Sequence, residues 1–115
     1  MAYKDPEKNK AAKKKWYLEH KDYYKKHFDN RIARHKTIVR EAKNVPCMDC
    51  RQIYPFFVMD FDHRDDVVKD MEISKLVRYG TKRLLEEIAK CEVVCANCHR
   101  IRTNERMILS QNLII

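Results

Sequence analysis

Two pairs of cysteines are the residues of this sequence most suited to chemistry, because each pair has the spacing of a metal half-site. Cys47 and Cys50 are separated by two residues, and so are Cys95 and Cys98. This spacing lets a tight turn offer both sulfurs to one zinc ion at about 2.3 Å, and two such turns complete a tetrahedron. We therefore predict a structural zinc site with four cysteine ligands.

The alternative use of these cysteines is disulfide bonding, which the start of the sequence disfavours. The first twenty residues are polar and rich in lysine, without the apolar segment of a secretory signal. The expected compartment is therefore the cytoplasm, where thiols stay reduced. The fifth cysteine, Cys91, lies on the same side of a predicted short strand as Val93 and Cys95. We interpret Cys91 as a buried small residue, with a substitute zinc ligand as the alternative.

Two histidines lie next to groups that bind metals. His63 directly follows Asp62, and His99 directly follows Cys98. Four thiolates leave zinc no open position, so any catalysis must use other ligands. A carboxylate and an imidazole can hold a hard divalent cation that stays open to water and phosphate. A second imidazole, with an unperturbed pKa of about 6.5, can accept a proton near neutral pH. Each histidine alone is more often structural, so the prediction depends on their combination.

The segment before the first cysteine pair is predicted to form a helical arm. Asp5-Pro6-Glu7 is a plausible helix start, and no Gly or Pro follows as far as Lys43. Asp29-Asn30 could divide the segment by capping a second helix. One face carries an apolar stripe at helical spacing, which we interpret as a packing surface rather than a base-stacking surface. The stripe consists of Trp16, Tyr17, Tyr23, Tyr24, Phe28, Ile32 and Val39.

The remaining residues are predicted to form an α+β domain that is mostly helical. Its elements are a strand over Tyr54–His63, a short helix ended by a left-handed Gly80, a helix capped by Thr81, a strand over Cys91–Cys95 and a helix beginning near His99. The tail from Met107 to Ile115 is apolar. We expect this tail to pack on the domain or on another subunit.

The charge of the chain is concentrated in the arm. Residues 1–44 contain 14 basic and 6 acidic residues, whereas residues 45–115 contain 11 of each. A basic segment beside a neutral domain favours a polyanionic partner such as DNA, and a merely solvated lysine-rich helix is the alternative. The lysines expected to contact DNA are Lys13, Lys14, Lys15, Lys25 and Lys26. No apolar run is long enough to span a membrane, so no membrane partner is expected.

Two motifs together resemble the HNH endonuclease family, in the small, zinc-bearing form often found in phages. They are DFDHRD at residues 60–65 and CANCHRIRTNER at residues 95–106. The resemblance covers about residues 47–106. It implies a ββα-metal finger on the four-cysteine zinc site, with residues 1–44 as a basic arm and 45–115 as the nuclease domain. No Asn occurs in residues 82–96, where the family has the middle residue of its motif.

The same resemblance implies roles for individual residues. His63 would be the general base that deprotonates water, and Asp62 and His99 would bind one catalytic Mg²⁺ or Mn²⁺. Asp60 is the alternative carboxylate ligand, because it shares the strand alternation of Asp62. The implied activity is hydrolysis or nicking of DNA that leaves a 5′-phosphate. Arginine side chains that suit phosphate oxygens are Arg64, Arg100, Arg102 and Arg106. The alternative function is a non-catalytic zinc-ribbon protein that binds nucleic acid or phage packaging proteins.

Overall fold

The computed structural model describes residues 6–114 of the 115-residue chain. These residues are mostly helical, with one two-stranded sheet, which agrees with the predicted α+β class. The elements are α1 (Pro6–Glu19), α2 (Lys21–Ala42), a 3-10 turn (Phe56–Val58), β1 (Met59–His63), α3 (Ile73–Leu76), α4 (Thr81–Ala89), β2 (Cys91–Cys95) and α5 (Ala96–Ile114). The predicted helix start at Asp5 and the side chains of the tail from residue 112 onward lie outside the described part.

The arm consists of two helices, but the break between them is at His20 and not at Asp29-Asn30. Asp29 and Asn30 both lie inside α2, so the sequence prediction of the break is wrong. At His20 the backbone N–H bonds to the Tyr17 carbonyl at 3.1 Å. The imidazole Nδ1 donates to the Trp16 carbonyl at 2.7 Å. In a continuous helix this carbonyl would accept from the backbone N–H of His20. The side chain of His20 therefore replaces one helical hydrogen bond and ends α1.

The two strands pair in antiparallel orientation with a fixed register. Met59 lies opposite Cys95, and His63 lies opposite Cys91. The predicted strand over Cys91–Cys95 is confirmed with its bounds. The predicted strand over Tyr54–His63 is too long, because residues 56–58 form a 3-10 turn behind Pro55. The helix α5 follows β2 directly, so the sheet and this helix surround the cysteine groups.

The core is divided into two small clusters. The cluster beneath the sheet is built largely from the cysteines themselves and contains Cys47, Met59, Val94, Cys95 and Cys98. The other cluster joins α3 and α4 and contains Ile73, Leu76 and Leu84, with Ile38, Val39, Phe61, Met71, Ile88 and Cys91 packed against it. Because Ile38 and Val39 belong to α2, the C-terminal turns of the arm are part of this second core.

The junction of α3 and α4 differs from the prediction at two residues. Gly80 is the N-cap of α4, with an extended backbone (φ −70°, ψ 151°) instead of a left-handed one. Thr81 is the first residue of α4 and not its cap. The reason lies in tertiary structure, because the Thr81 hydroxyl is 2.8 Å from Nε2 of His35. The hydroxyl that could have capped the helix is used to attach α2.

His35 anchors the arm to the domain. Its side chain is fully buried, and Nδ1 donates to the Val77 carbonyl at 2.8 Å while Nε2 accepts from the Thr81 hydroxyl. Both ring nitrogens are therefore satisfied by residues more than forty positions away in the sequence. The C-terminal half of α2 is fixed to α3 and α4, whereas α1 and the first turns of α2 extend into solvent.

Replacing His35 by alanine is expected to lower the free energy of unfolding by about 2–4 kcal/mol, because two buried hydrogen bonds are lost and a cavity remains. Urea unfolding followed by circular dichroism would measure the change. Lys36→Ala, at the adjacent exposed position of the same helix, should stay within about 0.5 kcal/mol of the wild type. Equal stability of the two variants would contradict the anchoring role.

The last helix leaves its apolar residues uncovered as far as they are described. Met107, Ile108 and Leu109 are each about half exposed. The expected packing of the tail on the domain is therefore wrong for these three residues, and contact with another subunit stays a prediction. Within residues 6–114, no helix combines the length and the apolar character needed to cross a membrane.

Candidate metal centre and adjoining histidine cleft

The four predicted zinc ligands lie together. The sulfurs of Cys47, Cys50, Cys95 and Cys98 are all within 4.8 Å of one another. Cys47 and Cys50 lie on a tight turn that Arg51 closes with a positive φ of 65°, and its N–H bonds to the Cys47 carbonyl at 3.0 Å. Cys95 ends β2, and Cys98 lies in the first turn of α5. The predicted grouping of the two half-sites is confirmed, and the cysteines are positioned to bind a metal ion.

The chemistry of this group fits a zinc ion. All five cysteines of the chain are free thiols, so no disulfide competes for the sulfurs. The Cys50 and Cys95 sulfurs are 4.0 Å apart, close to the edge of about 3.8 Å that a tetrahedron with 2.3 Å bonds requires. Backbone N–H groups of Cys95 and Cys98 point at the sulfurs of Cys47 and Cys95 at 3.3 and 3.4 Å.

The thiols of the group differ in acidity. Burial tends to raise the pKa of Cys47, but hydrogen bonds from surrounding backbone N–H groups outweigh it and lower the pKa to about 6. The pKa of Cys98 is raised to about 12, mainly by its hydrogen bond with Cys95 and by burial. One thiol thus ionises easily while a neighbour resists, and a bound cation would favour the ionised form of both.

Cys91 lies outside the sulfur group. It packs against the second cluster, and its thiol donates to the Glu87 carbonyl at 3.4 Å. Burial raises the pKa of this thiol to about 11. Cys91 was interpreted as buried, but it is only half-buried and packs at the margin of that cluster. The alternative of a substitute ligand finds no support in this geometry.

His99 lies between the two carboxylates of β1. Its Nδ1 is 3.1 Å from Oδ2 of Asp60, and its Nε2 is 3.7 Å from Oδ1 of Asp62. Asp60 and Asp62 share one face of the strand, as their alternation predicts, and this face is turned to α5. The predicted ligands Asp62 and His99, together with the alternative Asp60, therefore form one group.

Asp62 is held by two arginines of α5. The carboxylate is only 5% exposed; Arg106 binds its two oxygens at 2.9 Å each, and Arg102 binds Oδ2 at 2.8 Å. Burial alone would raise the pKa of Asp62, but the hydrogen bonds from Arg106 and Arg102 outweigh it and hold this pKa below its ordinary value. Arg102 also binds both oxygens of Asp49 at 2.6 Å, and Glu92 at 3.2 Å.

The donor types at this group suit Mg²⁺ or Mn²⁺, which favour carboxylate oxygens and tolerate imidazole. The two carboxylates differ in availability, however. Asp60 is 43% exposed and its side chain contacts only His99 among the described residues, whereas both oxygens of Asp62 are bound by guanidinium groups. A cation could reach Asp60 and His99 directly, and would reach Asp62 only after Arg106 moves away.

His63 is bound by a buried carboxylate that the sequence analysis did not single out. Nε2 of His63 is 3.2 Å from Oε2 of Glu87, which is only 1% exposed. The same Glu87 accepts hydrogen bonds from Lys90 at 2.7 Å and from the Asp70 N–H at 2.8 Å. Burial would raise the pKa of Glu87, but these three partners outweigh it and lower the pKa. Nε2–H of a neutral His63 donates to the ionised Glu87, which leaves Nδ1 of His63 as a proton acceptor.

One cleft brings the histidines together. Its volume is about 370 Å³, and its lining includes His63, Asp62, His99 and Arg106. Asp62 and His63 are neighbours on β1 and would point to opposite faces of a regular strand, yet both line the cleft. The three residues predicted for catalysis therefore surround one space.

The remaining residues predicted to contact DNA have two kinds of surroundings. Arg64 is exposed and donates to the Ala89 carbonyl at 3.0 Å, and Arg100 is exposed on α5. Arg102 and Arg106 are turned to the carboxylates described above. The five lysines of the arm, Lys13, Lys14, Lys15, Lys25 and Lys26, are all exposed on α1 and α2.

The sequence contains a pattern from which the buried position of Glu87 could have been predicted. It lies three residues after Leu84 and one before Ile88, on the apolar face of α4. A charged residue on an apolar face is almost always paired when it is buried, so its position indicated a partner. Asp49, beside Cys50, carried no comparable signal, because its bond to Arg102 depends on the fold.

Comparisons with known proteins give no relative: no family model matches the chain, and neither a curated protein nor a solved structure is significantly similar to it.

Proposed function

We propose that this protein is a metal-dependent DNA endonuclease or nicking enzyme that hydrolyses phosphodiester bonds at the cleft beside β1. The observation that carries the proposal is the convergence of His63, Asp62 and His99 on that cleft. The order of β1, β2 and α5 agrees with the ββα-metal finger of the HNH endonucleases that the two motifs resemble, with α3 and α4 inserted between the strands.

His63 is the general base in this mechanism. Glu87 accepts a hydrogen bond from Nε2–H of His63 and fixes the orientation of the ring. Nδ1 then accepts a proton from the attacking water. The resulting hydroxide adds to phosphorus, and the bond from phosphorus to the 3′-oxygen breaks. The 3′-oxygen takes up a proton, and the products carry a 5′-phosphate and a 3′-hydroxyl.

His99 and the carboxylates of β1 are the residues that would hold the catalytic Mg²⁺ or Mn²⁺. When bound, the cation supplies positive charge to the developing phosphorane and to the leaving oxygen. Release of Arg106 from Asp62 would free that carboxylate and give the guanidinium a phosphate oxygen as a new partner. Binding of the phosphate and exposure of Asp62 would therefore favour each other.

The four cysteines and the arm have supporting roles. Zinc bound by Cys47, Cys50, Cys95 and Cys98 would join the turn at residues 47–50 to the end of β2 and the start of α5. His99 directly follows Cys98 in this α5 turn, so the metal site sets the position of one catalytic side chain. The exposed lysines of α1 and α2 would hold the DNA backbone without reading its sequence.

Incubation with supercoiled plasmid tests this proposal. The zinc-loaded protein is expected to convert the plasmid to the open circular form when Mg²⁺ or Mn²⁺ is added, and EDTA should stop the reaction because the second cation is labile. Zinc content is measured after the EDTA step to show that the cysteine site is still loaded. No nicking with either cation, or equal nicking without them, would refute the proposal.

The second candidate function is a non-catalytic zinc-ribbon protein that binds nucleic acid or a phage packaging protein. The observation in its favour is the neutralisation of Asp62 by Arg102 and Arg106, which makes this carboxylate a poor ligand while the contacts last. Metal analysis separates the two functions. One tightly bound zinc without a second divalent site would favour the binding protein.

A further inference from the structure

A groove on the arm is separate from the cleft beside β1. It runs along the end of α1 and the first half of α2 and has a volume of about 720 Å³, about twice that of the cleft. Three aromatic rings line it, those of Tyr17, Tyr24 and Phe28. Four cationic side chains line it as well: Lys21, Lys25, Arg31 and Arg34.

The aromatic rings of the groove are held in place but not covered. Tyr24 is 43% exposed, and its ring lies 5.0 Å from that of Tyr17 and 5.4 Å from that of Trp16. Phe28, one turn further along α2, is 38% exposed. The stripe was predicted to be a packing surface, but these rings pack on one another and not on the core. Several exposed aromatic rings side by side on one helical face indicate a surface that binds another molecule.

The cations of the groove have no acidic partners. Lys21, Lys25, Arg31 and Arg34 form no ion pair within residues 6–114. The arginines of the domain differ, because Arg83, Arg102 and Arg106 each bind a carboxylate. The acidic residues in this part of α2, Asp22 and Asp29, line a neighbouring depression that shares Lys25 with the groove, but neither forms an ion pair with this lysine.

Arg31 shows the same lack of partners at the atomic level. Its Nε is buried and has no hydrogen-bond partner, and its guanidinium carbon lies 5.7 Å from the centre of the Phe28 ring. Positive charge and an aromatic face are thus adjacent in the wall of the groove. A ligand that carries both an anion and a flat ring would satisfy both groups.

We propose that this groove binds an unpaired stretch of DNA. Bases would stack on the faces of Tyr24 and Phe28, and phosphates would contact the cations beside them. In a duplex the base faces are covered by their neighbours, so double-stranded DNA could use only the cations. A second copy of the chain is disfavoured as the occupant, since two arms with uncompensated positive charge would repel each other.

The inference extends the proposed function by naming a substrate feature. DNA with a single-stranded part, such as a flap, a gap or a junction, would be held by the arm and by the cleft together. The inference depends on a nucleic-acid partner, but it does not depend on hydrolysis. A protein that binds without cutting would use the groove in the same way.

Fluorescence anisotropy with a labelled 20-nucleotide oligo(dT), and with a duplex of equal length, tests the inference on the full-length protein without Mg²⁺ or Mn²⁺. Tyr24→Ala is expected to weaken binding of oligo(dT) about fivefold or more, because a stacking ring is lost. Phe28→Leu should do the same, and both variants should change duplex binding less. Tyr79→Ala is the matched control: it removes the same side chain from a similarly exposed position outside the groove and should stay within about twofold.

Two results would overturn the inference. The first is unchanged oligo(dT) affinity in Tyr24→Ala and Phe28→Leu proteins whose helix content matches the wild type. The second is a wild-type dimer in sedimentation that Tyr24→Ala dissociates without changing oligo(dT) binding, which would assign the groove to a second copy. Absence of nicking by the wild-type protein, together with Tyr24-dependent binding of oligo(dT), would refute the proposed hydrolysis and leave the groove standing.

Discussion

Replacing His63 by alanine is expected to lower the rate of Mg²⁺- or Mn²⁺-dependent plasmid nicking by about 10²–10⁴-fold, the usual contribution of a positioned general base. His63 has no substitute in the cleft, because His99 is turned to Asp60 and Asp62. The fold should persist, since His63 lies at the end of β1 and its ring is partly exposed. Zinc content and circular dichroism of the variant check that assumption.

A pair of adjacent glutamates on α4 provides the matched test of how His63 is positioned. Glu87→Gln removes the charge that holds the Nε2 proton and should lower kcat about tenfold while KM for plasmid stays the same. Glu86→Gln makes the same change on the exposed face of that helix and should leave both constants unaltered. If His63→Ala nicks as fast as the wild type, the cleft is not a hydrolytic site of the proposed kind.

Removal of the metal from the four cysteines is expected to unfold the domain. The cluster beneath the sheet has five buried residues, of which three are these cysteines, so little apolar packing remains without the bound ion. Zinc contributes about 10–16 kcal/mol in comparable small sites, as much as the whole stability of a typical domain. Cys47→Ser, or a strong chelator, should therefore collapse the dispersion of amide signals from residues 45–111 in a ¹H–¹⁵N spectrum.

The fifth cysteine provides the control for this experiment. Cys91→Ala removes a thiol of the same domain that lies outside the sulfur group, so the variant should still bind one zinc and keep a dispersed spectrum. A metal-free protein with an unchanged spectrum would mean that the cysteines are dispensable for folding. Loss of zinc in Cys91→Ala would mean that the ligands are assigned wrongly.

The parts of the fold that could be predicted depend on short-range patterns. The two cysteine pairs were recognised because the two intervening residues themselves define the half-site. The strand Cys91–Cys95 was predicted with its bounds, since an apolar run lies between a helix end and a cysteine pair. Convergence of Asp62, His63 and His99 could be expected only through the resemblance of their motifs, and their roles stay predictions.

The parts that could not be predicted depend on partners far away in the chain. Nothing near Thr81 indicates that its hydroxyl serves His35, forty-six positions earlier, and this contact displaced the expected helix cap. The arginines Arg102 and Arg106 were expected to face DNA, but the fold places buried Asp62 within their reach. The break between α1 and α2 was predicted at the wrong residues for a local reason. The hydrogen bond from the His20 side chain to the Trp16 carbonyl ends α1, and nothing in the helix propensities of the neighbouring residues indicates it.

The helix α4 contacts both His35, the anchor of the arm, and His63 of the cleft. Thr81 at its first residue holds His35, and Glu87 in its last turn holds His63. A helix of nine residues spans about 13 Å and bends little, so these two contacts are the ends of one stiff rod. If the proposed binding of DNA to the arm tilts α2, this rod would carry the tilt to Glu87 and so to the ring of His63.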